Sequence, residues 1–335
     1  MLIMTSLIVI LPTAVVVPYV NPQEHEVSQT TTEKTENNSI DETIILDQST
    51  EVSVYRTQKD VVEKLPLEHY VVGVVASEMP EEFEKEALKA QALSARTYIT
   101  SLLLNPDHSV PQKADVTDTV THQVFSSTAD LKEKWGANYI QKINKIKEAV
   151  HDTQGQVIVY EDRLITASYF STSNGFTENS EDYWSAELPY LRSVESPWDK
   201  DSPKASNQTV IPVSVFEEKL SVDLEQEPDL EASISERTNG DRVRQVTLNG
   251  KELTGKQIRE KLNLPSSDFH WKKKGDHIVI SSEGYGHGVG MSQYGANGMA
   301  KSGKTYQEII QHYYTGVKIV DNEKFLLEIS KVNQS

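Results

Sequence analysis

The chain has 335 residues, enough for one large domain or two ordinary ones. Its formal net charge of -17 disfavours a nucleic-acid phosphate partner on bulk electrostatics, although a neutral or mildly anionic polymer can still meet a local basic patch. It has no cysteine, which excludes disulfides, thiolate metal sites and a cysteine nucleophile, and which fits an exported protein without requiring export.

Met1 to Val20 carries no charge and, at roughly twenty residues, is long enough to span a bilayer as a helix. It reads as a transmembrane signal anchor. A cleaved signal peptide competes, but it wants a basic start and a small-x-small cleavage site, and neither is evident. The stretch from Asn21 to about Thr50 is rich in Gln, Glu, Thr, Ser and Asn and lacks aromatics. It has too little apolar surface to fold and reads as a disordered tether.

"EVSVYRT", Glu51 to Thr57, alternates as a strand does. Pro66 and Glu68 open a short helix ending near Glu78, because Pro80 forces Met79 out of helical geometry. Glu82 to Leu104 is a long amphipathic helix with the stripe Leu88, Gln91, Ala95, Tyr98, Leu102. A polar loop leads to a helix from about Ala137 to His151. Two strands follow, Gln156 to Glu161 and Leu164 to Phe170, joined as a hairpin. From about Ile211 to Ile280 the elements shorten, a change of pattern that admits an inserted subdomain. They are a helix at Val213 to Leu220, a strand in "RVRQVTLNG", a helix in "TGKQIREKLNL" and a strand in "DHIVIS". A glycine-rich loop and helices at Met291 to Lys301 and Tyr306 to Tyr314 close the pattern. The class is α+β, with mixed helices and short antiparallel strands and no repeat of solenoid or propeller period.

Glu78 is the first candidate for chemistry, since it follows an apolar run, "VVGVVAS", broken only by Gly73 and Ser77. Apolar surroundings raise a carboxyl pKa and keep it protonated, as a general acid requires. The bland alternative is a helix-end carboxylate that caps or salt-bridges. Gln91 interrupts the apolar stripe, so its amide needs a partner once buried; it orients Glu78 or bonds to backbone. Arg96, on the flank of that stripe, carries a rigid fork suited to a carboxylate or a sugar diol, or else makes an ordinary salt bridge. Ser171, Ser173 and Asn174 lie in "SYFSTSNGFTE", where hydroxyls and an amide serve either a carbohydrate or their own turn. "EGYGHGVGMSQYGANGMA" matches no phosphate cradle; it offers His287 as a proton carrier or donor, unless a structural bond satisfies it. His122, near Asp115 and Asp118, lacks metal-ligand spacing and reads as a polar loop without metal.

Taken together, "PLEHYVVGVVASEMP", "EALKAQALSARTY", "ITASYFSTSNGFTEN", "PYLRSVESPWD" and "GYGHGVGMSQYGANGMA" resemble the stage II sporulation protein D family, in order, from about Val54 to Gly316. The resemblance implies a membrane-anchored lytic transglycosylase that cleaves the MurNAc-GlcNAc bond of peptidoglycan without water, leaving 1,6-anhydro-MurNAc ends. The family glutamate of "SEMP" falls on Glu78 as the acid/base. The implied substrate is glycan from which an amidase has removed the stem peptides. The implied setting is forespore engulfment at the mother-cell membrane, with that membrane-anchored amidase and a multispanning membrane protein as partners. The corresponding division is an anchor at 1–20, a linker at 21–50, an extracytoplasmic catalytic domain at 51–320 and a tail at 321–335. Arg96 or a nearby cation is then a candidate receptor for the lactyl carboxylate, with Gln91, Tyr169, Ser171, Ser173, Asn174, His287 and Gln293 in the groove. No cofactor is expected. Two departures stand out. The Cys/His set that resembles a zinc site in some relatives has no counterpart here, and Phe170 stands where relatives often have His. The rival readings are a non-catalytic wall-binding or amidase-activating scaffold, and a two-carboxylate glycoside hydrolase using Asp182 or Glu283 beside Glu78.

Overall fold

The computed structural model describes residues 50–224, 230 and 233–332. The expected anchor, and the expected tether up to residue 49, lie outside the described residues, and among the described residues no helix is long and apolar enough to cross a membrane. Strand β1 (Glu51–Arg56) pairs antiparallel with β2 (Val61–Pro66), and β3 (Val116–Thr117) joins β1 in parallel. Pro66 then opens α1 (Leu67–Glu78), its φ of -58° preset for a helix start. Val71, Gly73, Val74, Val75 and Ala76 are all buried, so α1 is a core helix enclosed nearly all round. It stops at Glu78 because Met79, ahead of Pro80, is extended (φ -117°, ψ 143°).

Helix α2 (Lys85–Leu104) is the hub of the molecule. Leu88, Ala92, Leu93, Ala95 and Ile99 on it are fully buried, against α1, α4 (Tyr139–His151), α8 (Gln293–Lys301), α9 (Tyr306–Tyr313) and α10 (Glu323–Val332). It begins at Lys85, later than the pattern suggests, after the Glu84 N–H donates to Asn297 Oδ1 at 2.8 Å. The polar stretch before α4 contains α3 (Thr128–Trp135), which sequence reading missed. Ser127 and Asp130 form a reciprocal capping box there, while only Leu131 and Trp135 are buried. The expected tail is helical too: α10 buries Phe325 and Ile329.

Strand β4 (Gln156–Tyr160) lies between β5 (Arg163–Leu164) and β14 (Lys318–Asp321). The single strand expected over Leu164–Phe170 is divided. Its first residue stays with β4, Ile165 and Ala167 turn into the core, and β6 (Tyr169–Phe170) pairs in parallel with β13 (Met291–Ser292). Alternation alone could not reveal this change of partner. Next comes the short α5 (Ser180–Tyr183).

A second apolar core gathers further along. Strands β7 (Ser206–Pro212), β12 (His277–Glu283) and β11 (Phe269–Lys274) form one antiparallel sheet. Strands β8 (Ile234–Arg237), β9 (Val243–Leu248) and β10 (Lys251–Thr254) form another. With α6 (Val213–Leu220) and α7 (Gly255–Leu262) they enclose Phe216, Val246, Leu248, Ile258, Phe269 and Trp271.

Candidate active site

A cavity of about 600 Å³ opens beside the C-terminal end of α1. Its walls come from the 120–124 loop, the chain around β6, Trp184, the glycine-rich loop at 285–287, the first turn of α8, and Arg259 of α7. Glu78 is the only carboxylate among the described residues that line it. The helix end delivers this side chain to the wall, where its Oε1 accepts the Val124 backbone N–H at 3.0 Å. Burial pushes its pKa up, while the Val124 N–H and the Tyr169 hydroxyl pull the other way by favouring the ionised form. Such a carboxyl holds a proton more tightly than an exposed one yet has donors ready for its anion.

The break in the apolar run at Gly73 has a structural reason. The loop carrying Val124 crosses α1 at this residue, so a β-carbon would meet the Phe125 ring and lie 2.7 Å from the Ser126 carbonyl oxygen. The Ser77 hydroxyl, one turn on, bonds the Ser126 hydroxyl at 2.9 Å and fastens the same crossing. Gly73→Ala is therefore expected to destabilise by about 1–3 kcal/mol through overpacking, even though alanine is the better helix former by about 1 kcal/mol. Displacing the Val124 N–H also raises the Glu78 pKa further. Urea unfolding and the alkaline limb of the pH–rate profile measure the two effects, and a more stable variant with an unmoved limb would contradict them.

Several expected groove residues converge here. Gln293 Nε2 donates to the Glu78 backbone carbonyl at 3.1 Å and to Gln91 Oε1 at 3.3 Å. Gln91 is fully buried behind it, so it supports the wall without forming part of it, and its own Nε2 has no partner. The Tyr169 hydroxyl accepts from Gln123 Nε2 at 3.3 Å, and Gln123 Oε1 accepts the Tyr70 hydroxyl at 3.1 Å. Ser171 lines the wall. His287 also lies in the wall, ringed by Phe170, Tyr183 and Trp184 at 5.7, 5.7 and 5.2 Å. Its Nδ1 accepts the Val289 N–H at 3.1 Å. Burial first, then the Arg259 and Arg242 charges, lowers its pKa to about 3, a direction that disfavours a proton-carrier role near neutrality.

Three expectations are corrected. Arg96 is wholly buried and holds Glu68 through two bonds of 2.8 and 2.7 Å, with the Gln156 and Val150 carbonyls taking further donors at 3.1 and 3.3 Å. It has no access to a ligand. Ser173 is buried too, donating to Asp199 Oδ2 at 2.8 Å. Asn174 turns away from the cavity, its Nδ2 donating to the Gly240 carbonyl at 2.8 Å and to Asp268 Oδ2 at 2.9 Å. Hydroxyls and amides in a loop serve the loop itself here.

Sequence reading did not single out Val124, Gln123, Trp184, Tyr285, Lys204 or Arg259 as site residues. The Val124 contribution is a backbone N–H, to which side-chain identity gives no clue. Trp184 and Tyr285 carried a signal, as aromatics in polar or glycine-rich loops. Tyr285 is 42% exposed with the Lys204 ammonium 4.7 Å from its ring centroid, a flat polar-edged platform at the mouth.

These features define an α+β protein with a one-carboxylate cleft. The chain belongs to the stage II sporulation protein D family, a family of sporulation proteins. The model described as "Stage II sporulation protein" matches residues 55–160. Stage II sporulation protein D of Bacillus amyloliquefaciens is 48% identical over 326 residues, covering 96% of this chain and 94% of that protein. That of Bacillus subtilis is 45% identical over 328 residues, covering 97% and 95%. The amidase enhancer of Bacillus subtilis is 29% identical over 302 residues, covering 74% of this chain and 40% of that protein.

Proposed function

We propose that this chain is a lytic transglycosylase that cuts the MurNAc-GlcNAc bond of peptide-stripped peptidoglycan, with Glu78 as its general acid and base. The supporting observation is the cleft with a single carboxyl of raised pKa. A hydrolysing glycosidase usually needs a second carboxylate, to activate water or to form a covalent intermediate. Asp182 does not supply one, because its side chain is 3% exposed and pairs with Arg244 at 2.5 Å. Glu283 is exposed, bonded to the Ser206 hydroxyl at 3.2 Å, and absent from the cavity wall.

One acid suffices when the substrate provides the nucleophile. Glu78 donates its proton to the glycosidic oxygen as the bond from that oxygen to C1 of the muramyl sugar breaks. The 6-hydroxyl of the same sugar then attacks C1, and its proton passes to the Glu78 carboxylate, restoring the acid. The closure is intramolecular, which supplies much of the acceleration. The Val124 N–H and Tyr169 hydroxyl support the transient anion. We place the reaction in forespore engulfment, on the outer face of the mother-cell membrane, with a membrane-anchored amidase supplying stripped strands and a multispanning membrane protein as companion. Mass spectrometry of the released ends is the test. Anhydro-muramyl ends, one water lighter than reducing ends, are expected; reducing ends alone would make the protein a hydrolase.

The likeness to an amidase enhancer favours a second reading, a scaffold that activates the amidase. Glu78→Gln separates the two, since a scaffold keeps its effect on amidase activity whereas the enzyme loses cleavage.

A further inference from the structure

Among the described arginines that are not exposed, Arg259 is the one without a carboxylate partner. Arg56, Arg96, Arg192, Arg237, Arg242 and Arg244 each pair with a carboxylate, and Arg163 is exposed. Arg259 is half-buried in the cavity wall, and no carboxylate pairs with it among the described residues. That is a conspicuous omission in a chain with 50 acidic residues against 33 lysines and arginines. Its guanidinium is nonetheless held in place, with Nη1 donating to the Tyr183 hydroxyl at 2.8 Å. Its Nε is buried with no hydrogen-bond partner. A desolvated donor left open is costly unless something that binds there satisfies it.

We infer that Arg259 is the receptor for a carboxylate on the substrate, taking it through the free edge of its guanidinium fork while Tyr183 fixes the plane. This rests on the substrate proposed above. A stripped muramyl residue carries a free lactyl carboxylate; on a peptide-bearing strand the same carbon is tied up in an amide, uncharged and bulky. A fork that needs two oxygens of an anion accepts the first and rejects the second. The receptor role expected for Arg96 thus passes to a residue on α7, from the region with its own apolar core. Selectivity for stripped strands and proton transfer then sit on different parts of the fold, joined only at the cavity.

The test measures binding without cleavage, in the Glu78→Gln background. Three probes are compared: amidase-stripped glycan strands, peptide-bearing strands, and chitotetraose, which has no lactyl group. Adding Arg259→Gln is expected to weaken stripped strands about ten- to hundredfold, to abolish their advantage over peptide-bearing strands, and to leave chitotetraose unchanged. Arg259→Lys, which keeps the charge but loses the fork, should recover only part. With Arg259 intact, affinity for stripped strands should fall as salt rises while that for chitotetraose does not, a measurement independent of how the variants fold. Equal losses on stripped strands and chitotetraose, a surviving preference in Arg259→Gln, or salt-independent binding of stripped strands would each overturn the assignment. Because binding is read apart from the sugar ends, finding reducing ends would sink the transglycosylase chemistry and leave the receptor standing.

Discussion

Glu78→Gln is expected to stop cleavage and at the same time raise the melting temperature at neutral pH. General acid–base groups contribute about 10²–10⁴-fold, and here one residue serves both steps, so the loss should lie at the upper end. The stability change follows from the direction of the pKa shift. Folding raises the Glu78 pKa above its unfolded value. The stabilisation linked to this proton is fully present below the unfolded pKa and is lost as pH rises through the folded one. At any pH above the unfolded pKa this carboxyl therefore costs stability relative to a neutral side chain in the same partly buried place, and an amide of the same shape removes that cost. For the same reason kcat/KM should fall as pH rises past a limb lying above the ordinary carboxylate range, since the free enzyme must hold the proton. Thermal unfolding and a pH–rate profile read both. A variant that cleaves at wild-type rate, or one that melts lower at pH 7.5, would contradict this account of Glu78.

Arg96→Ala should strongly destabilise the protein. The Arg96–Glu68 pair has its side chains 0% and 4% exposed, and it ties α2 to the first turn of α1 and to the backbone at Val150 and Gln156. Removing one partner of such a pair leaves the other charge buried alone, at a cost of about 3–5 kcal/mol. Replacing both by apolar residues of similar volume should cost much less, because no charge is then stranded. Urea unfolding of the single and double variants measures this. Where Arg96→Ala remains folded, its KM for stripped strands should match the wild type, since the side chain has no path to the cavity. A raised KM with unchanged stability would return Arg96 to the substrate.

These two residues show how differently the sequence speaks about neighbours. For Glu78, the local chain carries part of the signal. An apolar run, a glycine and a Met-Pro step all lie within eight residues of the carboxylate and mark its place at a helix end, whereas the crossing loop, the Val124 N–H and the Tyr169 hydroxyl that complete its surroundings come from distant segments. For Arg96 the deciding contact is Glu68, 28 residues earlier on another helix. Nothing within a helical turn of Arg96 distinguishes a buried structural pair from a waiting ligand site. The same holds for α3, where a capping box hides in a stretch with only two buried apolar side chains, and for Leu164–Phe170, whose two ends belong to different sheets.

The sequence by itself determined the α+β class, most of the helices, the family and the candidate acid at Glu78. Each is written in side chains three or four apart or in motifs of consecutive residues, where steric and burial preferences act locally. Only the tertiary structure decided that Arg96, Ser173 and Asn174 serve the interior, that burial lowers the His287 pKa, and that Arg259 stands in the cavity wall with no carboxylate partner among the described residues, 181 positions along the chain from Glu78. Those outcomes depend on which charges and hydroxyls are brought within bonding distance when distant segments pack. Desolvation then sets the energy of each, and its extent is a property of the folded interior, which no local pattern of residues encodes.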